Sequence, residues 1–307
     1  MNYRHEFHAG NFADVFKHAI LCRILHHLRG KPAAFRVIDT HAGAGLYDLA
    51  SAAAERSGEW HDGIEKLLSA EISAEVAALL APYLEAVSAC NSGGRLRIYP
   101  GSPTLIRALL RPQDRLIACE LEPKAHLALA RNLRGDSRVK ILELDGWVAL
   151  NAYVPPKERR GLVFVDPPFE AGSDFSNLVS GLTAAHRKWA TGIYALWYPL
   201  KGRRDADLLA RRLGRAGLPK VLRAEILVAP LGDPARLGGA GMILVNPPWT
   251  LESELSAILP ALIRVFGGAG EAHFSSGLAC GGTRTERSLM YGLFPQGRSW
   301  CVVPYWQ

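Results

Sequence analysis

The chain has 307 residues, 49% hydrophobic and 21% charged, which suits one large α/β domain with an insertion or two domains. No apolar run nears the roughly 18 residues of a membrane span, and the polar N-terminus lacks a signal peptide's apolar core, so a cytoplasmic protein free of membrane is expected. Five scattered cysteines without a C-x-x-C pair argue against a disulfide framework and structural zinc, while a net charge of +7 favours an anionic partner, nucleic acid first.

Residues 3–18 read Tyr-Arg-His-Glu-Phe-His-Ala-Gly-Asn-Phe-Ala-Asp-Val-Phe-Lys-His, too polar and aromatic for an ordinary tail. Asn11 is a good N-cap, and apolar residues at Phe12, Val15, Phe16, Ala19, Cys22 and Leu25 predict a helix running to Gly30. The segment ahead of it reads either as an arm that closes over a ligand or as solvated His5 and His8. Lys17 and His18 stand one turn from Asp14, so a surface ion pair competes with a ligand role.

Phe35–Asp39 is a short strand that runs into Thr40-His-Ala-Gly43-Ala-Gly45. A strand with an acidic end and a glycine-rich turn marks a nucleotide-cofactor site, although this is not a full G-x-G-x-x-G. Asp48–Ala54, Asp62–Ala70 and Ile72–Ala89 then predict an inserted helical subdomain over 47–93, closed by Asn91-Ser-Gly-Gly94. Leu96–Pro103 is expected to return the chain to the sheet edge. Ser102 either caps the helix that follows, through Leu110, or meets the cofactor.

From there the alternation is regular. Strands are expected at Arg115–Glu120, Val139–Leu144, Gly161–Asp166, Ile193–Tyr198, Val221–Val228 and Met242–Asn246. Helices are expected at Pro123–Leu133, Trp147–Tyr153, Asp174–Ala190, Arg204–Ala216 and Leu251–Val265. The last two strands have no helix between them and read as an antiparallel hairpin at the sheet edge. Glu120, Asp145 and Asp166 close three neighbouring strands. Three such acids after a glycine-rich turn suit S-adenosylmethionine: Glu120 for the ribose, Asp145 for the adenine amine, Asp166 for the substrate.

The strand Gly161–Val165 stops at Asp166-Pro167-Pro168-Phe169, since two prolines cannot continue a ladder. That tetrapeptide suits methyl transfer to an exocyclic amino group. A carboxylate and the carbonyl of Pro167 accept the two N–H groups and draw the lone pair out of conjugation, and Phe169 stacks on the base. Asn246-Pro247-Pro248-Trp249 has the same form but follows the last strand, so it reads as a turn leading into the final helix. Arg203, Arg204, Arg211, Arg212 and Arg215 form one basic patch and Lys157, Arg159 and Arg160 another; each is an RNA-holding surface or a solvated face.

Tyr3–His18, Asp39–Gly45, Tyr99-Pro-Gly-Ser-Pro103, Asp166–Phe169, Tyr194-Ala-Leu-Trp-Tyr-Pro199 and Asn246–Trp249 together resemble the bacterial 23S ribosomal RNA adenine-N6 methyltransferase family, which acts on adenine 2030. The likeness spans about residues 1–265. It implies an α/β, Rossmann-like S-adenosylmethionine-dependent methyltransferase with a mostly parallel sheet, a C-terminal antiparallel hairpin and a small inserted helical subdomain. The implied layout is 1–46 with 94–266 as the methyltransferase domain, 47–93 as the insertion and 267–307 as a tail. By position, His18, His41, Gly43, Ser102, Glu120, Asp145 and Gly146 would hold the cofactor. Asp166, with Pro167 and Phe169, would serve the target amine, and Tyr3 would approach the adenosine. A monomer acting on protein-free 23S rRNA, without metal, is implied. The tail departs from the family, whose members close soon after the last helix with a Trp-x-Val-Pro-Glu strand. Competing readings are a DNA adenine-N6 or protein-glutamine methyltransferase, and a catalytically silent RNA-binding homologue.

Overall fold

The structure, a computed structural model, describes residues 4–170, 173–233 and 236–267, with the backbone alone of 272–276 and 288–291. In chain order the first half comprises α1 (Phe12–Arg29), β1 (Arg36–Asp39), β2 (Leu46–Asp48), α2 (Ala52–Ser57), α3 (Lys66–Ser69), α4 (Ala74–Ala89), β3 (Ile98–Pro100), α5 (Ser102–Leu109), β4 (Arg115–Cys119) and α6 (Pro123–Asn132). Then follow β5 (Val139–Leu142), α7 (Gly146–Ala152), β6 (Gly161–Val165), α8 (Asp174–Lys188), β7 (Ile193–Leu200), α9 (Arg203–Arg215), β8 (Val221–Leu227), β9 (Gly239–Val245), α10 (Leu251–Phe266), β10 (Ala272–Ser276) and β11 (Ser288–Tyr291).

The main sheet runs β11-β10-β8-β9-β7-β6-β1-β4-β5. Its five strands β5, β4, β1, β6 and β7 are parallel, so their carboxyl ends share one edge. β9 runs back antiparallel between β7 and β8, with Val245 level with Tyr194 and Gly239 level with Leu200. Its carboxyl end therefore lies at the opposite edge. This is the expected α/β architecture with its antiparallel hairpin. The hairpin is not at the rim, however, because β10 pairs with β8 and β11 with β10.

Side chains alternate across the strands, as the two-residue period requires. Val37, Leu116, Ala118 and Phe164 face a core shared with α1, α4, α5 and α10, while Ile38, Val163, Val165 and Leu196 face α8 and α9. α1 begins where Asn11 accepts the Asp14 N–H at 2.9 Å, and every residue from Ala13 to Leu25 is buried. A helix buried all round must find partners for its polar residues. Arg23 meets Glu254 of α10 through two bonds of 2.9 Å and donates to the Leu79 carbonyl of α4 at 3.2 Å.

Three local expectations are corrected. Leu96–Pro103 does not rejoin the main sheet: Ile98–Pro100 pairs antiparallel with Leu46–Asp48 in a separate two-stranded sheet. The helix expected from Asp48 starts only at Ala52, because Ser51 caps it and Asp48 belongs to β2. The helix expected over Asp62–Ala70 is kinked at Gly63, where a Cβ would overlap the Gly10 carbonyl of the N-terminal segment.

Gly241 of β9 lies under the ring of Tyr198, and a Cβ there would overlap it. Tyr198 is fully buried and donates to Glu225 at 2.8 Å, so it cannot swing away. Gly241→Ala is expected to destabilise the fold by about 1–3 kcal/mol, read from denaturant midpoints. An unchanged midpoint would show that β7 and β9 yield to one another.

Candidate active site

The shared carboxyl edge opens into a cleft of about 740 Å³. Its floor is the turn after β1, where Gly43 and Gly45 take φ of +62° and +80°. These left-handed residues aim backbone N–H groups outward. Gly43 donates to Glu120 Oε2 at 2.8 Å and Glu122 to Glu120 Oε1 at 2.7 Å, which orients the carboxylate at the end of β4. Burial raises the Glu120 pKa above its ordinary value.

Asp145 accepts from the N–H groups of Trp147 at 2.7 Å and Val148 at 3.2 Å, so it caps α7. Gly146 lets that helix press on the first turn: a Cβ would overlap the Thr40 carbonyl and stand 2.7 Å from His41 Cε1. Ser102 is not an N-cap. Gly101 holds that position, and the Ser102 hydroxyl donates to Asp39 Oδ2 at 2.6 Å. Asp39 Oδ1 is buried without a hydrogen-bond partner, and burial pushes the Asp39 carboxyl up to about 7.

Asp166 stands at the end of β6, and Lys17 reaches it from α1. The Lys17 ammonium lies 2.6 Å from Asp166 Oδ2 and 2.8 Å from Asp14 Oδ1, with the Trp197 ring centre 5.4 Å away. Asp14 in turn accepts from the Gly10 N–H at 2.8 Å and lies 3.1 Å from His5 Nε2. Of the two readings left open for Asp14 with Lys17, the surface ion pair gives way to a buried chain, with Lys17 4% and Asp14 1% exposed. Burial opposes the charge on Lys17, but the carboxylates of Asp14 and Asp166 outweigh it and hold the ammonium protonated. Burial likewise opposes the Asp14 charge, and His5 and Lys17 outweigh it to keep that carboxyl well below its usual range. His5 and His8 are not simply solvated, since His8 Nδ1 lies 2.9 Å from Glu59.

His18 Nδ1 sits 2.8 Å from the Tyr99 hydroxyl and His41 Nδ1 sits 2.8 Å from Thr40 Oγ1. Burial pushes them down to about 3 and about 4, so both imidazoles are neutral at physiological pH. The cleft gathers His18, His41, Gly43, Ser102, Glu120, Asp145, Gly146, Asp166 and Pro167 along its walls. Phe169 is not among them. Its φ is +54°, and its ring packs on Phe175 at 4.8 Å and Trp197 at 5.5 Å between centres. Tyr3 lies outside the described residues. Lys17 and Asp39 are not among the residues that the sequence assigns to the cofactor or the target amine. The i, i+3 spacing of Asp14 and Lys17 among the apolar positions of the first helix was the available sign.

Asn246 is far from this edge, as the direction of β9 requires. Its amide donates to the carbonyls of Ala190 and Gly192 at 2.8 Å each, and Trp249 is 86% exposed. It closes a turn and is not among the residues that line the cleft.

Residues 32–276 match the profile of the family described as ribosomal RNA large subunit methyltransferase D, RlmJ. Ribosomal RNA large subunit methyltransferase J of Escherichia coli K12 is 41% identical over 89% of this chain and 96% of its own length. Its namesake in Haemophilus influenzae Rd is 39% identical over 86% of this chain and 93% of its own. A crystal structure of a Legionella pneumophila protein superposes with a TM-score of 0.80 at 32% identity, over 88% of this chain and 98% of that one.

Lys17→Met would leave Asp14 buried without its cation. A loss of about 3–5 kcal/mol in denaturant unfolding is expected, part of it recovered in Asp14→Asn/Lys17→Met. Wild-type stability in the single variant would show that the pair contributes nothing.

Asp39 yields a pH signature. An unfolded aspartate loses its proton near 4, whereas folded Asp39 keeps it up to about 7. The folded state therefore binds the extra proton between those values, and stability contributed here falls as pH rises through them. The stability advantage of Asp39→Asn over wild type should grow from pH 4 to 7 and then level off. A gap independent of pH would contradict the raised carboxyl.

Proposed function

The chain belongs to the ribosomal RNA large subunit methyltransferase J family, and on that premise we propose that it methylates N6 of adenine 2030 in 23S ribosomal RNA with S-adenosylmethionine. The observation that carries the reading is the Asp166-Pro167-Pro168 segment, which lines the cleft with its carboxylate tied to a buried lysine.

The residues present fit the cofactor. Glu120 is held by two backbone donors and retains lone pairs for a diol, and Gly146 lets the start of α7 approach Thr40 and His41 closely. When bound, S-adenosylmethionine supplies an electrophilic methyl group on a positive sulfur. Neutral His18 and His41 add no positive charge beside it. Asp166 accepts one N–H of the adenine amine and the Pro167 carbonyl accepts the other, which concentrates the lone pair on N6. As N6 gains positive charge, Asp166 stabilises it and takes the departing proton. Lys17 fixes the carboxylate's position throughout and is itself anchored by Asp14.

A paired base cannot offer N6 to such a cleft, so the target must be unpaired or flipped. By the family resemblance Tyr3 is the aromatic candidate for stacking on it, since the Phe169 ring packs on Phe175 and Trp197. The proposed substrate is protein-free RNA.

Asp166→Asn is expected to lower methyl transfer by on the order of 10²–10⁴ while calorimetry shows S-adenosylmethionine binding retained. Asn246→Ala should keep full turnover. A hairpin carrying the target adenine should be methylated, and assembled large subunits or duplex DNA poorly. Reversed behaviour of the two variants, or a preference for duplex DNA, would sink the reading.

A further inference from the structure

The cleft is a poor place to hold a polyanion. Eight acids line it, against Arg4, Lys17 and Lys124, and Lys17 is already spent on Asp14 and Asp166. The phosphates flanking the target nucleotide need a positive surface elsewhere. Residues 201–220 supply one, with seven lysines and arginines against two aspartates, in a chain whose whole net charge is +7.

The fold fixes which way those charges point. Arg203 is bound to buried Glu225, and Asp207 is turned onto Arg223 at 3.1 Å. Arg223 also donates to Glu225 at 2.9 Å, and Tyr198 donates to it at 2.8 Å. One of the helix's two acids is thereby already paired with Arg223. Arg204, Arg211, Arg212 and Arg215 are left exposed, with no acid in ion-pair range among the described residues. Spacings of four and seven put Arg204, Leu208, Arg211 and Arg215 in one stripe, roughly 16 Å long at the helical rise. The stripe itself carries one sign only, with the exposed Asp205 lying beside it on the helix.

Position completes the case. β7 is parallel to β6, with Leu196 level with Val165, so its end at Leu200 stands at the cleft edge. α9 starts there at Arg203 and descends the sheet's outer face towards Lys220, which neighbours Asn246 at the far edge. The stripe therefore leads away from the active site.

We infer that the exposed arginine stripe of α9 is the track for the phosphate backbone of RNA adjoining the target nucleotide; this rests on the ribosomal-RNA reading above. The contacts are to phosphate and carry no sequence preference.

The test compares full-length wild type, Arg204→Gln/Arg211→Gln/Arg215→Gln, and a control with the same charge loss, Lys31→Gln/Arg95→Gln/Arg134→Gln. Binding of the 23S hairpin is measured against salt, alongside S-adenosylmethionine affinity and KM and kcat for the hairpin. The stripe variant is expected to bind at least about tenfold more weakly, with the log–log salt slope reduced by about two. Its KM rises, while kcat and cofactor affinity stay at wild-type values, and the control resembles wild type. Equal losses in both variants, or none in the stripe variant while wild type binds and methylates, overturn the α9 assignment and leave the function standing. Failure of wild type to bind or methylate the hairpin overturns both.

Discussion

One buried ammonium holds this structure's chemistry in place. Lys17 is 2.6 Å from Asp166 and 2.8 Å from Asp14, out of water on all sides. Two carboxylates against one cation leave an excess negative charge in a low-dielectric site, tolerable only with further donors. The Gly10 N–H and His5 provide them from the segment before α1. The N-terminal motif is thus one electrostatic assembly with the tetrapeptide 150 residues later in the chain.

The protein separates its charges by place. Acids collect at the carboxyl ends of the parallel strands, where a sulfonium and a developing ammonium would sit. Free arginines collect on the outside of α9. The Tyr198–Arg223–Glu225 cluster divides the two regions by fixing the inner face of that helix. Around the cleft, Gly43, Gly45 and Phe169 take positive φ.

Much of this was legible in the sequence, because strands that end in an acid or in Pro-Pro announce both their period and their stop. Glu120, Asp145 and Asp166 follow from that logic alone. What local pattern could not carry was burial and direction. Asp14 and Lys17 at i, i+3 look like a surface pair unless α4 and α10 are known to cover the helix. Asn246 reads as a turn from its place after the last strand, and the backward run of β9 agrees. Leu46–Asp48 and Ile98–Pro100 are three residues each, too short for periodicity to register, and they found each other across a gap filled by helices. Phe169 kept its place in sequence, but its ring went to Phe175 and Trp197.

The grip of Arg23 on Glu254 sets an order of events during synthesis. α1 is among the first elements to leave the ribosome, and α10 is the last helix described, 231 residues later. Such long-range closure is slow and cannot begin until the distant segment exists. Until then Arg23 on the buried face of α1 has no carboxylate to meet. The seat of α1 is therefore completed only when α10 has been made, 231 residues after Arg23.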